Sequence, residues 1–312
     1  MKINIITCIG SFGSLPYCAE LLKLWLLKIR PKPIEEITIT RDYKPTHLNI
    51  LVDETLSSIL YERKADIWWT DSPAMLPLSY HKLDEHLNKD LFRKHYVTSE
   101  FMVDYCKRLN IPVDGVIYRL IHPVHFDYHA NYDKAKYDII TIGKHCICDR
   151  KRLALQRELA LKLNFRYCLI SDIWIPNRPN ITKYHFGTAT DEFKAKLLSQ
   201  SRFLLWTSFI EGFGMPVLEA MAIGTVPIYT DCPAHNEFAE GIKIPVEKES
   251  IGFCYGVKVI KYDVNPKDVE EIVKQALGMK KEEWQDLSEK CKEKAIEIHN
   301  ETLEKIPKLL EV

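Results

Sequence analysis

The sequence predicts an α/β protein built from two doubly wound, Rossmann-like halves, and three observations carry that expectation. The N-terminus reads strand, glycine turn, helix: Lys2 to Cys8 is β-rich, Gly10-Ser-Phe-Gly13 follows, and Ala19 to Ile29 is helical until Pro31 and Pro33. The same order recurs at Tyr137-Asp-Ile-Ile-Thr-Ile-Gly143, ahead of a helix from Leu153 to Leu163. Between them, residues 129–137 are polar and aperiodic, as an interdomain link would be. The expected domains are therefore 1–128 and 138–299, with a C-terminal segment at 300–312. Ligands bind at the carboxyl ends of the strands in such sheets, so both glycine turns are candidate binding loops.

The composition fits this class. A chain of 312 residues has room for two domains, and 46% hydrophobic with 28% charged residues is globular. Its 43 basic and 43 acidic residues cancel, leaving no overall surplus to drive nucleic-acid binding. The opening residues read as a short strand and not as a leader, and no apolar run is long enough for a bilayer. Nine scattered cysteines point to reduced thiols in a cytosolic-type compartment. Cys146 and Cys148 stand beside His145 without a second pair at zinc-finger distance, so no metal is expected there.

In chain order, the helix around Leu21 to Lys28 is apolar nearly all round with two lysines. Burial in a core is the favoured reading; a membrane surface is the other, giving a weak peripheral contact. Glu36 to Thr40 and Ile67 to Thr70 are strands. The second leads to Asp71-Ser-Pro73, where Asp71 is either an acceptor-side polar group or a turn cap. A strand and an amphipathic helix follow from Tyr96, with Ser99 as N-cap. Val116 to Leu120 reads as a strand, and His122 and His125 as turn residues beyond it. In the second half, Arg166 to Ile170, Phe203 to Thr207 and Val226 to Thr230 are strands. Pro227 requires its place to be near a strand end or edge. Asp191 to Gln200, Lys267 to Leu277 (stopped by Gly278) and Glu282 to His299 are helices.

One stretch organises the rest: Glu211-Gly-Phe-Gly-Met-Pro-Val-Leu-Glu219-Ala-Met-Ala-Ile-Gly224. Gly212 and Gly214 flank Phe213 and allow a sharp turn close to a ligand. Met215 and Pro216 open a helix, Pro216 being suited to a first-turn position, and Gly224 can end it in the left-handed conformation. A glycine loop leading into a helix N-terminus favours an anion. Glu211 and Glu219 add hydrogen-bond acceptors for hydroxyls, a pairing that suits a sugar nucleotide. The plainer alternative is an ordinary helix start, where a glutamate is favoured by the dipole alone.

The stretch resembles the donor-binding signature of the family-4 retaining glycosyltransferases, E-G-F-G-x-P-x-x-E-A-M-A-x-G-x-P. The one departure is Pro227, three residues after Gly224 where two is commoner. The resemblance covers most of the chain, densest at 138–240 and thin before 95. It implies the GT-B architecture, two Rossmann-like domains facing across a cleft, with residues after about Asn300 packing back on the first domain. It implies transfer of a sugar from a nucleotide donor to a glycan, lipid or protein acceptor with retained configuration. Glu211 is then expected to hold donor-sugar hydroxyls and Glu219 the ribose. Gly212, Phe213, Gly214 and Met215 line the donor, and the first loop brings Gly10 and Gly13 to its phosphates. The family's Gly-Arg and Lys-Gly cations correspond to Lys144 and Lys151 on the diphosphate, with Arg152 in a glycine place and Arg150 as a substitute cation. Without an Asp-x-Asp motif, no metal or other cofactor is expected. The family's usual N-terminal-domain histidine is missing, and Asp71 is the nearest polar group. A glycosidase, a nucleotide-sugar epimerase and a non-catalytic sugar-nucleotide-binding protein are the rivals.

Overall fold

The computed structural model describes residues 1–7, 14–52, 65–70, 92–108, 111–146, 148–254 and 257–311. Gly10, Gly13 and Asp71 lie outside the described residues. Contacts divide the chain into two compact units. The first holds Met1–Leu120, Gly256–Val259 and His299–Val312, the second Ile121–Tyr255 and Ile260–Ile298. Each is built on an all-parallel, six-stranded sheet, so the protein has two Rossmann-like α/β domains.

The first unit's strands are Lys2–Ile6 (β1), Glu36–Thr40 (β2), Leu48–Leu51 (β3), Ile67–Thr70 (β4), Lys94–Val97 (β5) and Gly115–Val116 (β6). They lie in the order β2-β1-β3-β4-β5-β6. Ile3, Ile5, Ile6, Ile67, Trp68 and Trp69 are buried, the continuous apolar pattern of a sheet covered on both faces. The strand expected over Val116 to Leu120 ends at Val116. The carbonyl of Ile117 accepts from the Trp69 indole at 2.8 Å, which takes it out of the ladder. The helix Ser14–Ile29 (α1) buries Leu21, Leu22, Trp25 and Leu26, leaving Leu24 and Leu27 at 38% and 45% exposure. Most of its apolar surface therefore packs inward.

The second unit's strands are Tyr137–Ile142 (β7), Tyr167–Ile170 (β8), Ile181–Tyr184 (β9), Ser201–Trp206 (β10), Val226–Thr230 (β11) and Ile242–Ile244 (β12). Their order is β12-β11-β10-β7-β8-β9, so the direction of winding reverses between β7 and β10. That switch point opens a crevice at the strands' carboxyl ends. A further strand, Lys248–Cys254 (β13), follows. β9 and β12 are short edge strands with mixed polarity, which hid them in the sequence. Pro227 is the second residue of β11, an interior strand, opposite Leu204 of β10. Glycine ends one helix as expected and another differently. Gly224 takes φ +84°, whereas Gly278 caps its helix at φ −85°, without the left-handed turn. The last helix also runs further than expected, Lys281–Lys305.

Candidate active site

Two loops meet at the switch point of the second sheet. One leaves β7 at Gly143 and carries Lys144 to Arg152; the other leaves β10 and carries Thr207 to Gly214. The first is pinned at its end. Asp149 accepts from the amides of Leu153 at 2.8 Å and Ala154 at 3.2 Å, capping the helix Leu153–Leu163. A carboxylate therefore answers this helix dipole, and the run Arg150-Lys-Arg152 is directed elsewhere. Gln156 of the same helix joins the two strand ends, accepting from Thr141 at 2.5 Å and donating to Thr207 at 2.8 Å.

Arg152 stands where the resembled signature has glycine, and its backbone explains that glycine: φ is +49°. The guanidinium compensates. It donates to the carbonyls of Thr207 at 2.8 Å and Tyr262 at 2.6 Å, and pairs with Asp263 at 3.3 Å. Arg152 is therefore a brace for the β10 loop, leaving Arg150 and Lys151 to face the glycine turn.

Glu211 sits on that turn at 6% exposure. Arg150 Nη1 donates to its Oε2 at 2.8 Å, and Lys151 Nζ lies 3.8 Å from Oε1. Burial alone would raise the Glu211 carboxyl, but Arg150 and then Lys151 outweigh it and hold it below its ordinary value. Burial pushes Lys151 down to about 8, against the pull of Glu211 and with the repulsion of Arg150. Lys151 also lies over the Trp206 ring, 3.7 Å from its centroid, a cation–π contact. Gly214 takes φ +100°, and a Cβ there would meet His235 Nε2 at 2.7 Å. Both facts require glycine. His235 is buried and donates through Nδ1 to the Thr230 carbonyl at 3.0 Å, leaving Nε2 without a hydrogen-bond partner among the described residues.

The helix Met215–Ile223 begins here without a side-chain cap and is buried along almost its whole length. Phe213 stacks on Phe238 at 4.4 Å between centroids, so its ring belongs to the core and what it can offer a ligand is backbone. One turn into the helix, Glu219 enters a second charged group. Lys194 Nζ lies 3.6 Å from its Oε1, and Lys194 also pairs with Asp191 at 2.7 Å. Burial would lower Lys194, but Glu219 and Asp191 outweigh it and raise its pKa. From the other side His125 Nε2 lies 3.9 Å from Glu219 Oε2. His122 is the turn residue the sequence suggested, its ring accepting from Val124 N at 3.2 Å. His125 is more than that: it is fully buried, and its ring faces the carboxylate. Ligand atoms of His125, Asp191 and Glu219 lie within 4.8 Å of one another, a spacing that could suit a cation. The Lys194 ammonium already stands among those carboxylates.

The fold thus brings Glu211, Arg150 and Lys151 together at the glycine turn and buries Glu219 in a second charged group with Lys194 and His125. Lys144 is exposed on the first loop. Lys194, His125 and His235 were not singled out as functional from the sequence, because each reaches the site from an element distant along the chain.

Residues 177–297 match the family described as "Glycosyl transferases group 1". The chain is 33% identical over 211 residues to a putative glycosyltransferase, ORF330, of Acidianus filamentous virus 2, a match spanning 64% of this chain and 62% of that one. The chain thus spans less than two thirds of that relative. It is 30% identical over 259 residues to putative glycosyltransferase 48 of Sulfolobus islandicus filamentous virus, spanning 79% of this chain and 77% of the relative. In fold it is similar to HepE of Anabaena, solved in complex with UDP and glucose, with a TM-score of 0.64, 11% identity and coverage of 98% and 99%.

Proposed function

Since the chain belongs to the glycosyltransferases of GT-B fold, we propose that it moves a sugar from a nucleotide-sugar donor to an acceptor with retained anomeric configuration, as a metal-independent hexosyltransferase of the family-4 type. The observation that carries this reading is the group Glu211, Arg150 and Lys151 at the start of the helix Met215–Ile223. As the bond to the leaving group breaks, positive charge grows on the sugar and negative charge on the diphosphate. Arg150, Lys151 and Lys144 take the diphosphate, helped by amides at the helix start; in many enzymes such preorganised charge supplies most of the rate enhancement. The two cations now held by Glu211 pass to the phosphates, and Glu211 turns to the sugar hydroxyls. Glu219, held by Lys194, accepts from the ribose. No nucleophilic side chain is needed when the acceptor attacks from the leaving-group face. A cytoplasmic setting suits the cysteine usage.

The test is a panel of nucleotide sugars, beginning with uridine donors, incubated with glycan, lipid and protein acceptors. Acceptor-dependent release of nucleotide, with the product's anomeric configuration matching the donor's by NMR and turnover persisting in EDTA, is the expected result. Interconversion of the donor sugar without release would make the chain an epimerase. Nucleotide binding without either reaction would leave a non-catalytic binder.

A further inference from the structure

Three sulfur atoms meet beside the loop that delivers Arg150. Cys148 Sγ lies 3.2 Å from Cys146 Sγ and 3.0 Å from Cys254 Sγ. The first two share the loop after β7, whereas Cys254 ends β13, 106 positions from Cys148. The sequence offers only the Cys-x-Cys pair; the fold supplies the third thiol. The proposed sugar chemistry uses none of them.

Their arrangement separates two readings. A tetrahedral zinc ion holds each sulfur at about 2.3 Å, which sets all its sulfurs about 3.8 Å apart. Here Cys148 lies 3.2 and 3.0 Å from its two neighbours, closer than sulfurs sharing one zinc ion would stand. Two close sulfur contacts through a shared Cys148 suit exchange better than coordination. Exposure gives the exchange a direction. Cys146 and Cys148 are half-buried, while Cys254 is fully buried and its thiol is pushed up by that burial and by Cys148. A reagent from solution therefore reaches the loop thiols before Cys254, and of these Cys148 is the one in contact with Cys254.

We infer that Cys148 and Cys254 form a redox-active dithiol, oxidised by low-molecular-weight disulfides to an internal disulfide, with Cys146 as the thiol that reopens it. The Cys148 thiolate attacks one sulfur of the small disulfide, forming a mixed disulfide and expelling one thiolate. Cys254 gives its proton to solvent, attacks the Cys148 sulfur and expels the second. Two protein thiols and one small disulfide become one protein disulfide and two small thiols, with two electrons passing to the oxidant. In reverse, the Cys146 thiolate attacks Cys148 and expels the Cys254 thiolate, moving the bond to the more accessible pair, where an external thiol reduces it. The Arg150 amide donates to Cys146 Sγ at 3.4 Å, so the exchanging sulfurs adjoin the backbone that positions that cation.

The experiment treats the full chain with oxidised glutathione and reads intact mass, thiols titrated in denaturant, and a tryptic map. Of nine thiols, two should be lost, with a mass decrease of two hydrogens. Trypsin cuts after Lys144, Arg150, Lys248 and Lys258, so peptide 145–150 should be found linked to peptide 249–258. Because the first peptide holds both Cys146 and Cys148, Cys146→Ser makes the assignment: it should keep the link, and Cys148→Ser should abolish it. Cys148 is half-buried, so its variant stays informative even where Cys254→Ser fails to fold. Nine remaining thiols, glutathione adducts without a link between these peptides, a link that survives Cys148→Ser, or stoichiometric zinc released on thiol blocking would each overturn the inference. None of these readouts depends on sugar transfer.

Discussion

Glu211 and Glu219 share one short stretch and are both buried, at 6% and 2% exposure, yet their surroundings differ in kind. The partners of Glu211 are Arg150 and Lys151, consecutive residues of the β7 loop, whose charges suit a phosphate equally well. The partners of Glu219 are Lys194, from the helix Asp191–Ser199, and His125, from the turn Pro123–Phe126. The first carboxylate is held by two cations of a loop. The second is set in place by regular structure. Under the proposed function the difference becomes a division of labour, with Glu211 at the reacting centre, where small displacements cost much rate, and Glu219 anchoring a part of the donor that does not change during reaction.

The comparison breaks most readily at Glu211. Glu211→Gln is expected to lower kcat on the order of 10²-fold or more, as removal of a charged transition-state contact does, with the fold intact by circular dichroism. If kcat is unchanged while Glu219→Gln abolishes it, the roles are reversed. Glu219→Gln should mainly raise the donor KM, by roughly 10- to 150-fold, the equivalent of about 1.5–3 kcal/mol for a hydrogen bond to a charged group. Steady-state kinetics with the donor varied separates the two outcomes.

A smaller effect sharpens the Lys151 side of the contrast. Its pKa, pushed down to about 8, means that the ammonium is present below that pH and lost above it. A bound diphosphate favours the charged form, so calorimetric affinity for a nucleoside diphosphate should be level below about pH 8 and then fall, by up to about tenfold per unit. Lys151→Arg should flatten the profile; an unbent profile in the parent chain would remove Lys151 from the phosphates. The smallest change is expected at exposed Lys144, where alanine should weaken the same binding only a few-fold. That loss should be larger at low salt than at high, because exposed charges are screened.

The stretch from Glu211 to Gly224 was legible because its requirements are local: two glycines at a turn, a proline in the first turn, a left-handed stop. The helix Leu153–Leu163 was legible for the same reason, and so were the strands Glu36–Thr40, Ile67–Thr70 and Val226–Thr230. What stayed hidden was whatever the sheet order creates. His125 reads as part of a Pro-containing turn, and the turn is real, but its facing of Glu219 exists only after the second unit folds. Lys194 looks like one of two solvated lysines on a short helix. Arg152 reads as a lost glycine; only its +49° backbone and its bonds to Thr207 and Tyr262 show how an arginine holds that place. Pairwise spacing along a chain carries no record of such meetings.

The makeup of the first unit also has a temporal consequence. The ring of Trp25 in α1 lies 4.7 Å from that of His299, and Lys32 donates to the Leu310 carbonyl at 3.1 Å. Those late residues are part of the first unit's own packing. Domains generally fold as they leave the ribosome, N-terminal first. Here the earlier-made unit lacks some of its pieces until the whole of the second has been translated. The second unit can mature while the first still waits, leaving the apolar side of α1 partly uncovered. That interval, more than any feature of the finished molecule, is where a holding chaperone would have its use.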